Sequence, residues 1–171
     1  MNLIRTYHSL ILIFLVILIP GCKINYSFSG ASISTEVKTV SVQFFPNRAR
    51  LINPTLSQDF TDGLKDKIRG QTNLTFVNYS GDVGFEGEIT GYRTEPVAIS
   101  GDDRASLTRF TVAIRVKFIN QLDSEQNFDR VFTKYEDFES SIDFSSVEQD
   151  LIDTIIEAIT EDIFNQAFVN W

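Results

Sequence analysis

The hydrophobic positions of this chain follow two spacings, and each spacing predicts a different kind of element. In the segment VKTVSVQFF, residues 37–45, apolar side chains alternate with polar ones, and Val40, Val42 and Phe44 fall on one side. This alternation is typical of a half-buried strand. Because proline cannot donate a backbone hydrogen bond to a sheet, Pro46 is predicted to end the strand.

A spacing of four residues follows and predicts the first helix. Asn53 is suited to cap this helix, Pro54 to occupy its first position, and Gly70 to stop it. The apolar stripe that the helix must bury is formed by Leu56, Phe60, Leu64 and Ile68.

The middle of the chain is predicted to form strands joined as hairpins. They lie in the segments LTFVNYSGD, VGFEGEITGYRTEPVAI, LTRFTVAIRVKFIN and FDRVFTKYEDF. In the second segment, Phe85 and Ile89 share one side with Gly87 and Gly91, where a bend or a closely packed helix needs room. The third segment alternates most regularly. Its apolar side is Phe110, Val112, Ile114, Val116 and Phe118, and its polar side is Arg109, Thr111, Arg115 and Lys117. This pattern indicates a sheet with one packed face and one polar face.

The last predicted element is a long helix from about Ser146 to near Phe168. Ser145 and Glu148 have the spacing of a capping box at its start. Its apolar stripe consists of Val147, Leu151, Ile155, Ile159 and Ile163, widened by Ile152, Ile156 and Phe164. Two amphipathic helices packed on one face of a largely antiparallel sheet of four to five strands make an α+β fold.

The N-terminal segment predicts export and lipid attachment. Arg5 precedes ten consecutive apolar residues, Leu10 to Ile19, a run too short to span a bilayer but typical of a signal peptide. The following Ile19-Pro20-Gly21-Cys22 resembles the bacterial lipobox, in which the cysteine is acylated. A plain secretory signal with a free cysteine and an uncleaved signal anchor are the alternatives. Two or three acyl chains, at about 0.8 kcal/mol per buried CH₂, hold a protein firmly at a membrane.

These features divide the chain into a lipoprotein signal peptide (residues 1–21), a lipidated tether (22–35) and a single α+β domain (36–171). The whole chain has 15 Lys and Arg against 23 Asp and Glu, and only Arg5 of these lies in the signal peptide, so the predicted mature chain has a net charge of −9. This charge argues against a nucleic-acid partner, which requires clustered cations.

The residue inventory excludes several classes of enzyme. The only histidine, His8, lies in the signal peptide, and Cys22 is the only cysteine. An acylated Cys22 leaves no ligand set for zinc, no Cys-His dyad and no Ser-His-Asp triad. We therefore predict no catalytic residues, no metal and no cofactor. The paired carboxylates Asp102-Asp103 and Glu86/Glu88 are interpreted as solvated residues.

Two groups of cations are candidates for binding phosphate groups on a lipid. The first is Arg48, Arg50, Lys65, Lys67 and Arg69, and the second is Arg109, Arg115 and Lys117. For the cations that end the first helix there is a structural alternative, since positive charge at a helix C-terminus is favoured by the helix dipole.

Several segments together resemble the LptE family of the Bacteroidetes type, the lipoprotein component of the outer-membrane lipopolysaccharide-assembly machinery. These segments are YSFSGASIS, VKTVSVQFFPNRA, LSQDFTDGLKDK, FEGEITGY and VEQDLIDTIIEAITEDIFNQAFVNW. The resemblance implies two helices on a four- to five-stranded sheet and no catalytic residues. It also implies two partners, an LptD-type β-barrel that the lipoprotein plugs, and lipopolysaccharide or lipooligosaccharide.

The resemblance implies a lipid-anchored position on the periplasmic side of the outer membrane. Lys23-Ile24-Asn25 after the cysteine contains no acidic run, which is more similar to periplasm-facing lipoproteins than to surface-exported ones. Two other functions stay open at this point: an accessory lipoprotein that scaffolds another envelope-assembly complex, and a lipid-anchored hydrolase that uses carboxylates.

Overall fold

The protein is described by a computed structural model of residues 33–51, 53–97 and 107–169. Along the chain lie β1 (Thr39–Val42), α1 (Leu56–Gln71), β2 (Thr75–Phe76), β3 (Val83–Val97), β4 (Leu107–Asn120), a 3₁₀ turn (Ser124–Gln126), β5 (Phe128–Glu139) and α2 (Phe144–Phe168). The predicted signal peptide, Cys22, most of the predicted tether and the Asp102-Asp103 pair lie outside the described residues.

The five strands form one sheet in the order β2-β1-β3-β4-β5. β3, β4 and β5 are antiparallel neighbours, whereas β1 is parallel to both β2 and β3. The predicted α+β fold with a largely antiparallel sheet is confirmed. The predicted hairpin between β2 and β3 is wrong, because β1 lies between these two strands and is parallel to both. Neighbouring parallel strands need a crossover connection, and α1 provides it between β1 and β2.

Both helices bury their apolar stripes against the sheet. Leu56, Phe60, Leu64 and Ile68 of α1 are fully buried, as predicted. In α2 the buried apolar residues are Ile152, Ile155, Ile156, Ile159, Ile163, Phe164, Ala167 and Phe168, whereas Val147 and Leu151 at its start are only partly buried. The buried residues of α2 meet the apolar side of β4, Phe110 to Phe118, which is also buried as predicted. Burying one such side chain contributes about 1.5–3 kcal/mol.

The strand alternation predicted near β1 stops at Val42. Phe44 is 56% exposed, whereas Phe45 is fully buried. The ring of Phe45 meets the ring of Phe60 edge-on at 5.0 Å, and its N–H donates to Thr61 Oγ1 at 3.2 Å. The prediction that Phe44 shares the buried side is therefore wrong, because the chain leaves the strand conformation and turns toward α1.

The start of α1 is capped by the predicted residue. Asn53 Oδ1 accepts hydrogen bonds from the N–H groups of Thr55, at 2.9 Å, and Leu56, at 3.0 Å. The helix itself begins at Leu56, so Pro54 lies before it rather than at its first position. Gly70 does not stop the helix, which ends one residue later.

The predicted capping box of α2 is wrong. The helix begins at Phe144, and Asp143 Oδ1 caps it by accepting from the N–H of Ser145 at 3.0 Å. The side chain of Glu148 accepts instead from Asn53 Nδ2 at 2.7 Å and from the hydroxyl of Tyr92. Burial, together with this contact to Glu148, raises the pKa of Tyr92. Glu148 therefore joins the starts of both helices to β3.

The predicted side of the glycines in β3 is right for Gly87 and wrong for Gly91. At Gly87 a Cβ would lie 2.0 Å from the Arg115 carbonyl oxygen and 2.7 Å from the Phe45 ring, so the absent side chain makes room for that ring on the packed face. The pairing of β3 with β4 shifts between Ile89 and Gly91. This bulge turns Gly91 to the opposite face, beside Ala113, and brings Tyr92 into the core.

The first described residues lie at the end of the domain where both helices finish. Ile33 lines one cavity with Gln71 at the end of α1, and a second cavity with Ala167 near the end of α2. The predicted tether therefore enters the fold at this end.

Candidate functional site

The polar side of β3, β4 and β5 faces away from both helices, and we call it the open face. Strand register places Glu86 opposite Lys117, and Arg109 opposite Asp137. The second group of predicted cations, Arg109, Arg115 and Lys117, therefore lies together on this face.

Each of these three cations is engaged by a carboxylate. Arg115 donates two hydrogen bonds to Asp129, at 2.8 and 2.7 Å. Arg109 donates two to Asp137, at 2.7 and 2.8 Å, and Lys117 lies 2.7 Å from Glu86. These hydrogen bonds lower the pKa of Asp129 and of Asp137 and raise the pKa of both arginines. A phosphate group must displace a carboxylate to bind here.

The open face also carries exposed aromatic and aliphatic groups. The guanidinium of Arg109 lies over the ring of Tyr135, with 3.6 Å from its central carbon to the ring centroid. Such stacking is favourable by about 0.5–1 kcal/mol at exposed sites. Val131 and Tyr135 are each more than half exposed.

The cations of α1 are distributed around the helix rather than gathered at one site. Lys67 is 2.6 Å from Glu161 of α2 and only 18% exposed, so this pair joins the two helices. Its hydrogen bond lowers the pKa of Glu161. Arg69 is paired with Asp66 at 2.5 Å and lies over the ring of Phe76. Lys65 is half-buried and has no ion pair within the described part of the chain.

The segment of residues 44–51, between β1 and α1, carries a different combination of side chains. Arg48 and Arg50 are exposed, and neither forms an ion pair with a carboxylate of the described residues. Phe44 and Leu51 are each 56% exposed. We call residues 44–51 the cationic loop.

Backbone contacts fix the cationic loop to the sheet. The N–H of Arg48 donates to the carbonyl of Ile89 at 2.8 Å, and the N–H of Ala49 donates to Asn47 Oδ1 at 3.0 Å. Ala49 itself is buried. The loop therefore presents two arginines and two apolar side chains from a defined backbone.

Sequence reasoning identified the cations of the open face but not their carboxylate partners. Asp129 and Asp137 fall on one side of the alternating segment FDRVFTKYEDF, and that spacing was a usable signal. The exposure of Phe44 had no such signal, since it depends on where β1 ends.

Across residues 33–51, 53–97 and 107–169, no cluster of three or more His, Cys, Asp or Glu side chains is arranged to hold a metal ion. No helix in those same ranges is long and apolar enough to cross a bilayer.

The family model LptE, described as lipopolysaccharide-assembly, matches residues 37–167 of the sequence. The match runs from two residues before β1 to the last turn of α2. This chain belongs to the LptE family. Membership indicates an outer-membrane lipoprotein with a role in lipopolysaccharide assembly, in a family whose members are not enzymes.

Solved structures resemble the LptE-family chain in fold at very low identity. A hypothetical protein from Chlamydia trachomatis has a TM-score of 0.54 at 9% identity, covering 78% of this chain and 98% of its own. A putative neuraminyllactose-binding hemagglutinin homolog from Helicobacter pylori has a TM-score of 0.52 at 9% identity, covering 82% and 88%. Rare lipoprotein B from Shewanella oneidensis has a TM-score of 0.46 at 8% identity, covering 75% and 90%. No curated protein matches this chain in sequence.

Proposed function

We propose that this LptE-family chain is held by an acylated Cys22 on the periplasmic side of the outer membrane, where it plugs an LptD-type β-barrel and assists the insertion of lipopolysaccharide or lipooligosaccharide. The observation that carries the glycolipid contact is the cationic loop. Its two exposed arginines stand beside two exposed apolar side chains. A glycolipid with phosphate groups and acyl chains offers complementary chemistry to both.

Phosphate binding is assigned first to Arg48 and Arg50. Arginine presents a planar fork of donors that matches phosphate oxygens, and neither residue is engaged by a carboxylate of the described residues. Lys65 is a further candidate with no ion pair among those residues. The remaining members of the predicted set, Lys67, Arg69, Arg109, Arg115 and Lys117, are proposed as weaker contacts because each already has a carboxylate partner.

The proposed lipid anchor explains how a domain of this size finds a membrane-embedded partner. Ile33 lies eleven residues after Cys22, a stretch that at full extension spans at most about 38 Å. Confinement within that distance raises the effective concentration of the domain for a barrel in the same membrane.

Affinity purification of the tagged lipoprotein from detergent-solubilised outer membrane tests the barrel contact. We expect one large β-barrel protein to co-purify, and depletion of the lipoprotein to leave that barrel misassembled and surface glycolipid reduced. Normal barrel assembly and normal surface glycolipid after depletion would overturn the assembly role. Recovery of a different envelope complex would support the accessory-scaffold function instead.

Charge reversal tests the glycolipid contact. The double variant Arg48→Glu/Arg50→Glu is expected to bind purified lipopolysaccharide more weakly with an unchanged melting temperature. Arg115→Glu/Lys117→Glu is the matched control on the open face, and we expect a smaller loss there because those cations are already paired. An equal or greater loss of lipopolysaccharide affinity in the control would assign the glycolipid contact to the open face instead of the cationic loop.

A further inference from the structure

A groove of about 350 Å³ opens on the sheet where β1, β3 and β4 meet, on the side opposite the helices. Ser41, Gly84 and Ile119 lie side by side across the three strands and form its floor. The residues around this floor are Gln43, Tyr79, Ser80, Glu86 and Gln121. We call it the Tyr79 groove.

The groove depends on the missing side chain of Gly84. A Cβ at this position would stand 3.1 Å from Ser41 Oγ, inside the space that the groove occupies. Neighbouring positions on the same strand face, such as Glu86, carry long side chains. Gly84 therefore leaves a concave site within an otherwise covered row.

The loop that carries Tyr79 is held in an unusual backbone conformation. Ser80 has a φ of 54°, in the left-handed region that residues with a Cβ rarely adopt. Gln43 Nε2 donates to the carbonyl of Asn78 at 2.9 Å and so ties this loop to the end of β1. Non-glycine residues in such conformations concentrate at binding sites, where the surroundings enforce them.

The described lining of the groove combines neutral polar groups with one exposed ring and the aliphatic residue Ile119. Tyr79 is 76% exposed. Ser41 and Ser80 contribute hydroxyls, Gln121 an amide, and Gln43 its carbonyl oxygen, since its amide nitrogen is already used. Glu86 is the one charged residue among the described residues of the lining, and it is paired with Lys117. None of the described residues that line the groove is a cation, so a phosphate does not fit its chemistry.

We propose that the Tyr79 groove binds a saccharide ring. The C–H face of a pyranose packs on an aromatic ring, while its hydroxyls act both as donors and as acceptors toward amides and hydroxyls. The site is separate from the cationic loop and does not rest on the function proposed above. The sugar portion of a glycolipid and a free oligosaccharide present the same chemistry.

Titration of the ¹⁵N-labelled full-length lipoprotein with saccharides tests this assignment. The protein is kept in a detergent without a sugar headgroup, and the probes are methyl glycosides of glucose, galactose, mannose and N-acetylglucosamine, then maltotriose. We expect shifts of the backbone amides of Gly81 and Gly84 and of the side-chain amides of Gln43 and Gln121. Absence of such shifts with every probe would overturn the proposal.

Three variants localise the binding. Gly84→Thr fills the floor with a residue suited to strands, and Tyr79→Ala removes the ring; each is expected to weaken binding at least about tenfold. Tyr79→Phe keeps the ring and retains binding. Tyr135→Ala removes an exposed tyrosine elsewhere on the open face and leaves binding unchanged. Unaltered affinity in both groove variants, with amide spectra that show the native fold, would contradict the site.

A second pair of probes distinguishes the two sources of sugar. Oligosaccharide released from lipopolysaccharide by mild acid carries the glycolipid's sugars without its acyl chains, and maltotriose is unrelated to it. Tighter binding of the former assigns the groove to the glycolipid, whereas equal binding assigns a general saccharide site. Maltotriose carries neither phosphate nor acyl chain, so the groove can be tested with it even if the cationic loop fails its own test.

Discussion

The two sides of β4 differ in polarity and in the segments that they contact. Phe110, Val112, Ile114, Val116 and Phe118 are almost completely buried under the helices. Arg109, Arg115 and Lys117 on the other side keep contact with water and pair with carboxylates of the adjacent strands. The same strand thus contributes to the core on one face and to an accessible charged surface on the other.

The difference separates what holds the fold from what is free to bind. Each buried apolar side chain contributes about 1.5–3 kcal/mol, whereas exposed ion pairs contribute about 0–1 kcal/mol. Substitutions on the packed face should therefore act on folding, and substitutions on the open face should act on binding. Four predictions test this contrast, beginning with the largest effect.

The substitution Ile155→Asp should unfold the domain. Ile155 is 1% exposed within the α2 stripe, and a buried carboxylate without a partner costs several kcal/mol. Thermal melting followed by circular dichroism measures the loss. Thr154→Asp, one residue earlier on the exposed side of α2, is the control and should melt close to the parent. A cooperative, parent-like transition in Ile155→Asp would show that the packed face has been placed on the wrong side of the helix.

Gly87→Ala should destabilise the domain by about 1–3 kcal/mol, because the new methyl group overlaps the Arg115 carbonyl and the Phe45 ring and the packed face cannot widen freely. Gly70→Ala provides the opposite case. It lies in α1 with nothing within 4 Å of the added Cβ, and should stabilise by about 0.5–1 kcal/mol. Denaturant titration measures both values. A neutral or stabilising effect of Gly87→Ala would contradict the tight contact at Gly87.

Acid should weaken the contact between the starts of β1 and β3. Asp82 Oδ2 accepts from the N–H groups of Lys38 and Thr39, both at 2.9 Å, which lowers the pKa of Asp82 below its usual 3.8. A lowered pKa in the folded state means that the stabilisation is complete above about pH 4 and disappears as the pH falls further. Melting temperatures between pH 6 and pH 2 should therefore fall less steeply in Asp82→Asn than in the exposed-site control Asp153→Asn.

The smallest effect is expected on the open face. Arg115→Gln removes the two hydrogen bonds to Asp129 but no apolar burial, and both partners are well exposed. Its melting temperature should stay within a few degrees of the parent, and the remaining difference should shrink in high salt. A loss as large as that of Gly87→Ala would mean that the open face also holds the fold together.

Periodicity predicted the packed face because burial follows directly from spacing. In the α1 stripe and on the apolar side of β4, the burial of each side chain follows from its position within its own helix or strand. Three residues were placed wrongly because the phase of the pattern shifts by one or two residues. The shift occurs at the end of a strand for Phe44, at a bulge for Gly91 and at the start of a helix for Glu148. Those shifts are set by contacts from distant segments, such as Phe45 on Phe60.

The open face was predictable only in part. Alternation placed Arg109, Arg115 and Lys117 on one side, but their pairing with Asp137, Asp129 and Glu86 depends on the register between strands. The Tyr79 groove was not predictable at all. Its floor combines residues from three strands, one of them parallel to β3, and that arrangement is not readable from any single segment.

The entry of the chain beside the ends of both helices has a consequence for orientation. The cationic loop packs near the start of α1, and the 16 residues of that helix separate it from the entry point by about 24 Å. With Cys22 in the outer membrane as proposed, this length of helix acts as a spacer between the point where the tether enters and the two arginines. The surface those arginines meet then depends both on the reach of the tether, about 38 Å at most, and on what surrounds the far end of the domain.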